Sequence, residues 1–153
     1  MSDHNFMEAT YDKFIFKVSV GCLYHPGECW VREDGNLLLV GITDFQQKVI
    51  GDVAFIEAFE IGTKIKQGDN VGILETIKTT LTLISPVSGE IAEVNAELEE
   101  NAQLINTDPF GEGWIYKIKP SSWESEKPGL MEAKTYFPKM EEKIDKEMQK
   151  QGE

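Results

Sequence analysis

Between Phe14 and Val20 the apolar side chains fall on every second residue, at Phe14, Phe16, Val18 and Val20, which predicts a half-buried strand. Cys29–Arg32 and Leu37–Ile42 predict two more, joined as a hairpin by the turn-forming residues Glu33-Asp34-Gly35-Asn36. Thr43 or Asp44 then fits the cap of a short helix through Phe45, Val49 and Ile50 that stops near Gly51. Alternation resumes at Val53, Phe55 and Ala58, and short strands cut by turns at Gly62, Gly68-Asp69-Asn70, Pro86 and Gly89 fill the middle of the chain. Trp114–Ile118 supplies a last strand after the Asp108-Pro109 turn. Strands this short and closely spaced predict a small all-β sandwich or barrel, not a parallel sheet with helical crossovers. Beyond Pro120 the chain turns to charged helix formers, with Pro138 placed to begin a helix and Met140, Ile144 and Met148 recurring at intervals of four. So narrow a stripe predicts a tail helix that packs on the barrel or extends from it. No long-period repeat or low-complexity tract is visible.

The two halves of Val71–Leu83 are β-prone on either side of Lys78, which predicts a hairpin with that lysine at its tip. Strands hold such a tip still while its side chain stays open to a modifying enzyme. Alone, the signal is weak, because most exposed lysines only solubilise.

Composition narrows the partners. A chain of 153 residues supports one domain with a core and leaves no room for two full-sized ones. Lys plus Arg number 15 against 27 Asp plus Glu, a net charge of −12 that repels nucleic-acid phosphates and anionic lipid, so neither nucleic acid nor membrane is an expected partner. Apolar stretches such as Leu37–Val40 fall far short of the ~20 residues that span a bilayer. Met1-Ser2-Asp3-His4 lacks the basic flank and apolar run of a signal peptide, and the expected location is cytoplasmic.

Little else carries chemistry. Cys22, His25 and Cys29 offer three ligand types with no fourth nearby, and Pro26-Gly27 breaks the backbone between them, so no metal site is expected. Two packed free thiols are favoured over a Cys22–Cys29 disulfide. Of the two histidines, His4 lies in the terminus and His25 stands alone, with no Ser-His-Asp, His-Glu-x-x-His or dinucleotide pattern around it. Gly111-Glu112-Gly113 has too few glycines for a phosphate loop. Glu97–Glu100 reads as a solvated helix start broken by Asn101, and Trp30, Phe110 and Trp114 as core or rim.

Several segments share one order: Val40-Gly41-Ile42-Thr43-Asp44, Gly51-Asp52-Val53, Gly62-Thr63-Lys64-Ile65-Lys66-Gln67-Gly68-Asp69, Ser85-Pro86-Val87-Ser88-Gly89-Glu90, Glu93-Val94-Asn95 and Asn106 through Trp114. Over about residues 30 to 120 the chain thereby resembles the H protein of the glycine cleavage system. That resemblance implies a flattened β-barrel or sandwich, the barrel-sandwich hybrid of lipoyl domains, with short helices and a C-terminal helix. It implies residues 1–28 as an N-terminal strand and loop extension, 29–120 as the lipoyl-carrier domain and 121–153 as a charged helical segment packed on it. It also implies lipoate bound covalently to Lys78. The family's recognition pattern carries over to Glu75 three residues before the lysine, Gly62 sixteen before and Gly89 eleven after. A biotin carrier would show methionines where Ile77 and Thr79 stand.

Such a protein is a shuttle and not an enzyme: a cofactor arm performs the chemistry while the protein positions it. The implied partners are a lipoate ligase or lipoyltransferase, a dihydrolipoamide dehydrogenase, and the enzymes that load and unload the arm. The family pattern Glu-Ser-Val-Lys-Ala reads here Glu75-Thr76-Ile77-Lys78-Thr79, and where the family has His-Glu-Trp this chain has Cys29 before Trp30, preceded by an unusual Gly21–Glu28 segment. The tail is also longer. These differences favour a carrier for a heterodisulfide-reductase-like sulfur oxidation complex, with Cys22 and Cys29 as redox or docking residues. The alternative is the aminomethyl carrier of glycine cleavage, served by a glycine decarboxylase and an aminomethyltransferase, and a further one is an unmodified interaction module.

Overall fold

A computed structural model describes residues 5–151, so His4 lies outside the described residues. β1 (Phe6–Tyr11) and β2 (Phe14–Ser19) make a hairpin of their own, followed by β3 (Leu23–His25), β4 (Cys29–Asp34) and β5 (Leu37–Ile42). After α1 (Asp44–Ile50) come β6 (Val53–Ala58), β7 (Lys64–Ile65), β8 (Asn70–Thr76), β9 (Thr80–Ile84) and β10 (Gly89–Val94). Then follow α2 (Glu97–Glu100), α3 (Leu104–Thr107), β11 (Tyr116–Pro120), α4 (Trp123–Glu126), a 3-10 turn at Lys127–Gly129, β12 (Met131–Glu132) and α5 (Ala133–Gln151). The larger sheet runs β12-β3-β4-β5-β11-β10-β7 and the smaller β6-β8-β9, all antiparallel, and neither closes into a barrel. The fold is thus mainly β, with short helices and a helix at the C-terminal end. No helix among the described residues is long and apolar enough to cross a membrane.

Two apolar clusters hold these layers. The first joins the two larger sheets through Val31, Val40, Leu74, Leu83, Ile91 and Ile118. Each such side chain contributes roughly 1.5–3 kcal/mol by leaving water. The second gathers Phe16, Val18, Tyr24, Trp30, Phe45, Tyr136, Met140 and Ile144 beneath α5 and the N-terminal hairpin. Gly41 lets Trp30 lie flat on β5, since a Cβ there would stand 2.8 Å from the indole ring. The indole N–H then donates to the carbonyl of Pro109 at 3.0 Å.

Local signals place α1 as expected. The Thr43 hydroxyl accepts from the Gln46 N–H at 3.2 Å, and Gly51, at φ 83°, ends the helix with its own N–H on the Gln47 carbonyl. Four features differ from the sequence expectation. β1, too irregular in its alternation to stand out, forms because β2 gives it a partner from Phe6↔Ser19 to Tyr11↔Phe14. Of the four alternating apolar residues only Phe16 and Val18 are buried, while Phe14 and Val20 face solvent. The strand expected over Trp114–Ile118 starts at Tyr116, because the Trp114 N–H still closes the preceding turn on Gly111. α5 begins at Ala133, five residues before Pro138, since Ala133 and Tyr136 are already packed in the second cluster and Tyr136 stacks on Tyr24 at 4.5 Å. Pro138 lies inside that helix and leaves out only the bond its N–H would have made to the previous turn. The tail helix therefore packs on the body, with Met140 and Ile144 buried and Met148 partly so.

Candidate functional site

The β8–β9 hairpin pairs Leu74↔Leu81 and Glu75↔Thr80, which leaves Thr76-Ile77-Lys78-Thr79 as its connection. Two-residue hairpin loops usually need left-handed residues at the tip. Here neither Ile77 nor Lys78 has a positive φ. A side chain does part of the closing instead: the Thr76 hydroxyl accepts from the Thr79 N–H at 2.9 Å and donates to the Thr79 carbonyl at 3.1 Å, beside the Thr76 N–H bond to that carbonyl at 2.9 Å. Sequence reasoning passed over Thr76. The available signal was that the family's serine and this threonine share only their hydroxyl.

Lys78 is exposed at this tip. Its stem passes over Gly51, where an added Cβ would stand 3.5 Å from the lysine Cε. The corner beneath is held by Asn106, whose amide donates to the Gly51 carbonyl at 2.8 Å and to Gln47 at 3.1 Å while its oxygen accepts from the Val53 N–H at 2.8 Å. The lysine thus projects from a tip closed by Thr76, with its stem over a corner that Asn106 holds.

Glu75 stands three residues before it, cross-strand neighbour to Phe55 on β6 and to Thr80 on β9. Because Leu74 faces the core, Glu75 lies on the outer face of the small sheet with Phe55. Ile77, beside the lysine, is 96% exposed. Gly62 and Gly89 are not brought to the lysine. Gly62 turns the chain ahead of β7 at φ 94°, and its N–H donates to the Ile91 carbonyl at 2.7 Å. At Gly89 a Cβ would run into the backbone carbonyl of Lys119 on β11. Both glycines serve the far edge of the larger sheet.

The cysteines are also kept apart. β3 and β4 pair Leu23↔Val31, Tyr24↔Trp30 and His25↔Cys29, so Cys29 shares the Val31 face while Cys22 packs with Tyr24 and Trp30 on the other. Both are buried and free, and burial pushes the Cys22 thiol up and that of Cys29 up to about 12. Both stay protonated at neutral pH, which suppresses exchange with a disulfide. Cys29 donates to the Ile84 carbonyl at 2.9 Å, at the base of β9, roughly 20 Å of extended strand from the tip. His25 accepts the Gly27 N–H on Nδ1 at 2.9 Å, closing that turn, and partial burial lowers its pKa.

Glu28, which sequence reasoning missed, is a buried carboxylate at φ 63°. It accepts from the Thr43 hydroxyl at 2.7 Å, from the Tyr136 hydroxyl and from Lys143 Nζ at 2.6 Å, and so ties the β3–β4 turn to the cap of α1 and to α5. A glutamate beside a proline-glycine turn reads as solvated until the helix that covers it is in place.

Comparison with known proteins agrees with this geometry. The family model described as "Glycine cleavage H-protein" matches residues 22–143. The chain is 43% identical over 113 residues to a "Glycine cleavage system H protein" of Carboxydothermus hydrogenoformans, covering 74% of this chain and 86% of that one. To the protein of the same description in Symbiobacterium thermophilum it is 45% identical over 107 residues, covering 70% and 83%. The crystal structure of a glycine cleavage system H protein from Mycobacterium marinum superimposes with a TM-score of 0.65 at 32% identity, over 68% of this chain and 87% of that one. The match begins at Cys22, just after the N-terminal hairpin, and runs into α5. With so much of the chain covered, this protein belongs to the glycine cleavage H-protein family, whose members are lipoyl carriers and not enzymes.

Proposed function

We propose that Lys78 bears the lipoyl group and that the loaded arm carries the aminomethyl group of glycine cleavage between enzymes of the cytoplasm. Glycine cleavage H proteins carry lipoate covalently on a lysine. The observation that carries the assignment is the exposed Lys78 on a tip closed by the Thr76 hydroxyl and backed by Asn106. A lysine amine attacks an activated lipoyl carbonyl, and the amide that forms removes its charge. The strained dithiolane at the end of the arm is then opened by an incoming nucleophile and later restored by oxidation of the dithiol. A lipoate ligase or lipoyltransferase would load it, a glycine decarboxylase and an aminomethyltransferase would exchange its cargo, and a dihydrolipoamide dehydrogenase would reoxidise it.

Taken alone, the sequence differences favour a heterodisulfide-reductase-like sulfur oxidation partner. They do not support that reading once packed. Cys22 and Cys29 lie buried on opposite faces, and Thr79 takes part in the turn only through its backbone. The relatives compared above are described as glycine cleavage proteins. Co-expression with a lipoate ligase followed by intact-mass measurement tests the attachment. Incubating the loaded protein with a glycine decarboxylase and labelled bicarbonate tests the pathway. Glycine-dependent exchange of label into the glycine carboxyl is expected. A loaded protein that supports no exchange would overturn the aminomethyl reading.

A further inference from the structure

Exposed large apolar side chains fall into two groups among the described residues. Tyr11, Phe14, Ile15 and Val20 belong to the N-terminal hairpin and its exit, whereas Phe55, Ile61 and Ile77 belong to the small sheet and the turn leaving it. Ile77 stands out because nothing in the fold asks for it. Turn positions favour Gly, Asn, Asp, Ser and Pro, and a side chain 96% exposed contributes no packing. Phe55, more than half exposed, lies one strand away on the same outer face, in the cross-strand row Phe55–Glu75–Thr80 directly below the tip. The other face of this sheet is closed by Leu74, Val71 and Leu83 in the core, and Gly51 with the end of α1 lies under the lysine stem. An enzyme that takes Lys78 Nζ into its active site can therefore meet the hairpin only at its tip and along this outer row.

We propose that Ile77 and Phe55, with Glu75 on β8 paired to Phe55 and two residues before Ile77, form the docking face for the enzyme that acylates Lys78, an inference that rests on Lys78 being the attachment residue. The partner it fits is an acyltransferring enzyme whose entrance is lined by apolar side chains and carries one cationic group opposite Glu75. Its acyl donor is an acyl adenylate. The lysine nitrogen forms the C–N bond, the carbonyl–phosphate C–O bond breaks with AMP as leaving group, and the amine proton passes to solvent. No electrons change hands. A small apolar pair beside a carboxylate suits such an encounter, because a few anchoring side chains carry most of the affinity while a charge sets register.

The test is steady-state lipoylation of the full chain by a lipoate–protein ligase with ATP and lipoate, read by intact mass, on Ile77→Ser, Phe55→Ser, Ile77→Val and Ile15→Ser. The first two should raise KM about tenfold each with kcat nearly unchanged, the pattern of lost docking and not of disturbed chemistry. Ile77→Val should behave like the native protein, and so should Ile15→Ser, which removes from the other patch an apolar group about as exposed as Phe55. Thermal midpoints of all four should match the native value. Native-like KM in both Ile77→Ser and Phe55→Ser would overturn the docking face, as would a loss confined to kcat or an equal effect of Ile15→Ser. If the native chain itself gains no lipoyl mass, the attachment reading has failed, which is separate from a native chain that is loaded and variants that are loaded equally well.

Discussion

Two hairpins of this protein carry a lysine at the tip: Lys13 in the two-residue Asp12-Lys13 loop between β1 and β2, and Lys78 in the Thr76–Thr79 connection between β8 and β9. Both lysines are exposed. Asp12 takes up the left-handed conformation, at φ 58°, that such loops require, and aspartate is among the residues that tolerate it. The second loop avoids that conformation and is closed by the Thr76 hydroxyl. The supports differ as well. β1 and β2 form an isolated pair resting on α5 and α1, whereas β8 lies between β6 and β9 with Leu74 fully buried in the main core. Exposure is common to both tips. What sets Lys78 apart is a tip fixed to the main core with Glu75, Phe55 and Ile77 arranged beside it.

The widest separation is expected on modification itself. Lys78→Arg should remove the lipoyl mass gain altogether, while Lys13→Arg should leave it intact, since Lys13 has a comparable tip without those neighbours. Intact mass after ligase treatment checks both. A gain that persists in Lys78→Arg would end the distinction between the tips.

A second separation concerns stability. Glu28→Ala leaves the Tyr136 and Thr43 hydroxyls without their shared acceptor and the half-exposed Lys143 unpaired, and each buried hydroxyl left unsatisfied costs roughly 1–3 kcal/mol. The loss should loosen α5 and the N-terminal hairpin, with Lys78 still modified at the native rate in protein that remains folded. Urea unfolding and lipoylation kinetics read the two arms, and a parallel fall in both would show that the regions are not separable. Smaller again is Thr76→Val, which keeps the side-chain shape and deletes the hydroxyl that closes the lysine tip. It should cost about 1 kcal/mol, the worth of a typical hydrogen bond, and slow lipoylation, with Thr76→Ser close to native. Native kinetics in Thr76→Val would mean that the backbone bond alone holds the tip.

The hairpin with Lys78 in its turn was legible because it is written locally, as two β-prone runs, and so were the Thr43 cap, the Gly51 stop and the Leu37–Ile42 strand. The features that stayed hidden depend on distant residues. β1 exists through its pairing with β2, and α5 starts ahead of Pro138 because Tyr136 meets Tyr24. The six residues between Cys22 and Cys29 say nothing of which face each cysteine occupies until the β3–β4 register is known, and only then does their separation follow. Glu28 gains its meaning from Lys143 and Tyr136, more than a hundred residues away. Gly62 and Gly89 serve turns and pairing at the edge of another sheet, which their spacing from the lysine in sequence does not reveal.

The smallest expected effect compares how two turns are closed. At the β3–β4 turn the Gly27 N–H rests on His25 Nδ1, an acceptor that titrates, while at the lysine tip the Thr79 N–H rests on a hydroxyl that does not. Burial lowers the His25 pKa in the folded protein below the ordinary value of about 6.5, so the folded state resists the proton that the unfolded chain accepts. Stability from this source is therefore complete above about pH 6.5 and declines as the pH falls from there through the folded pKa, levelling off below it. Protonation at Nδ1 also removes the acceptor of the Gly27 N–H. Amide exchange, corrected for its intrinsic pH dependence, should thus speed up at Gly27 through this range and stay level at Thr79. His25→Asn offers a side-chain oxygen to the same N–H without titrating, and it should flatten both the Gly27 profile and the small decline in urea midpoint between pH 7.5 and 5. If the variant declines as the native protein does, the sensitivity belongs to another group and the two turns do not differ in this respect.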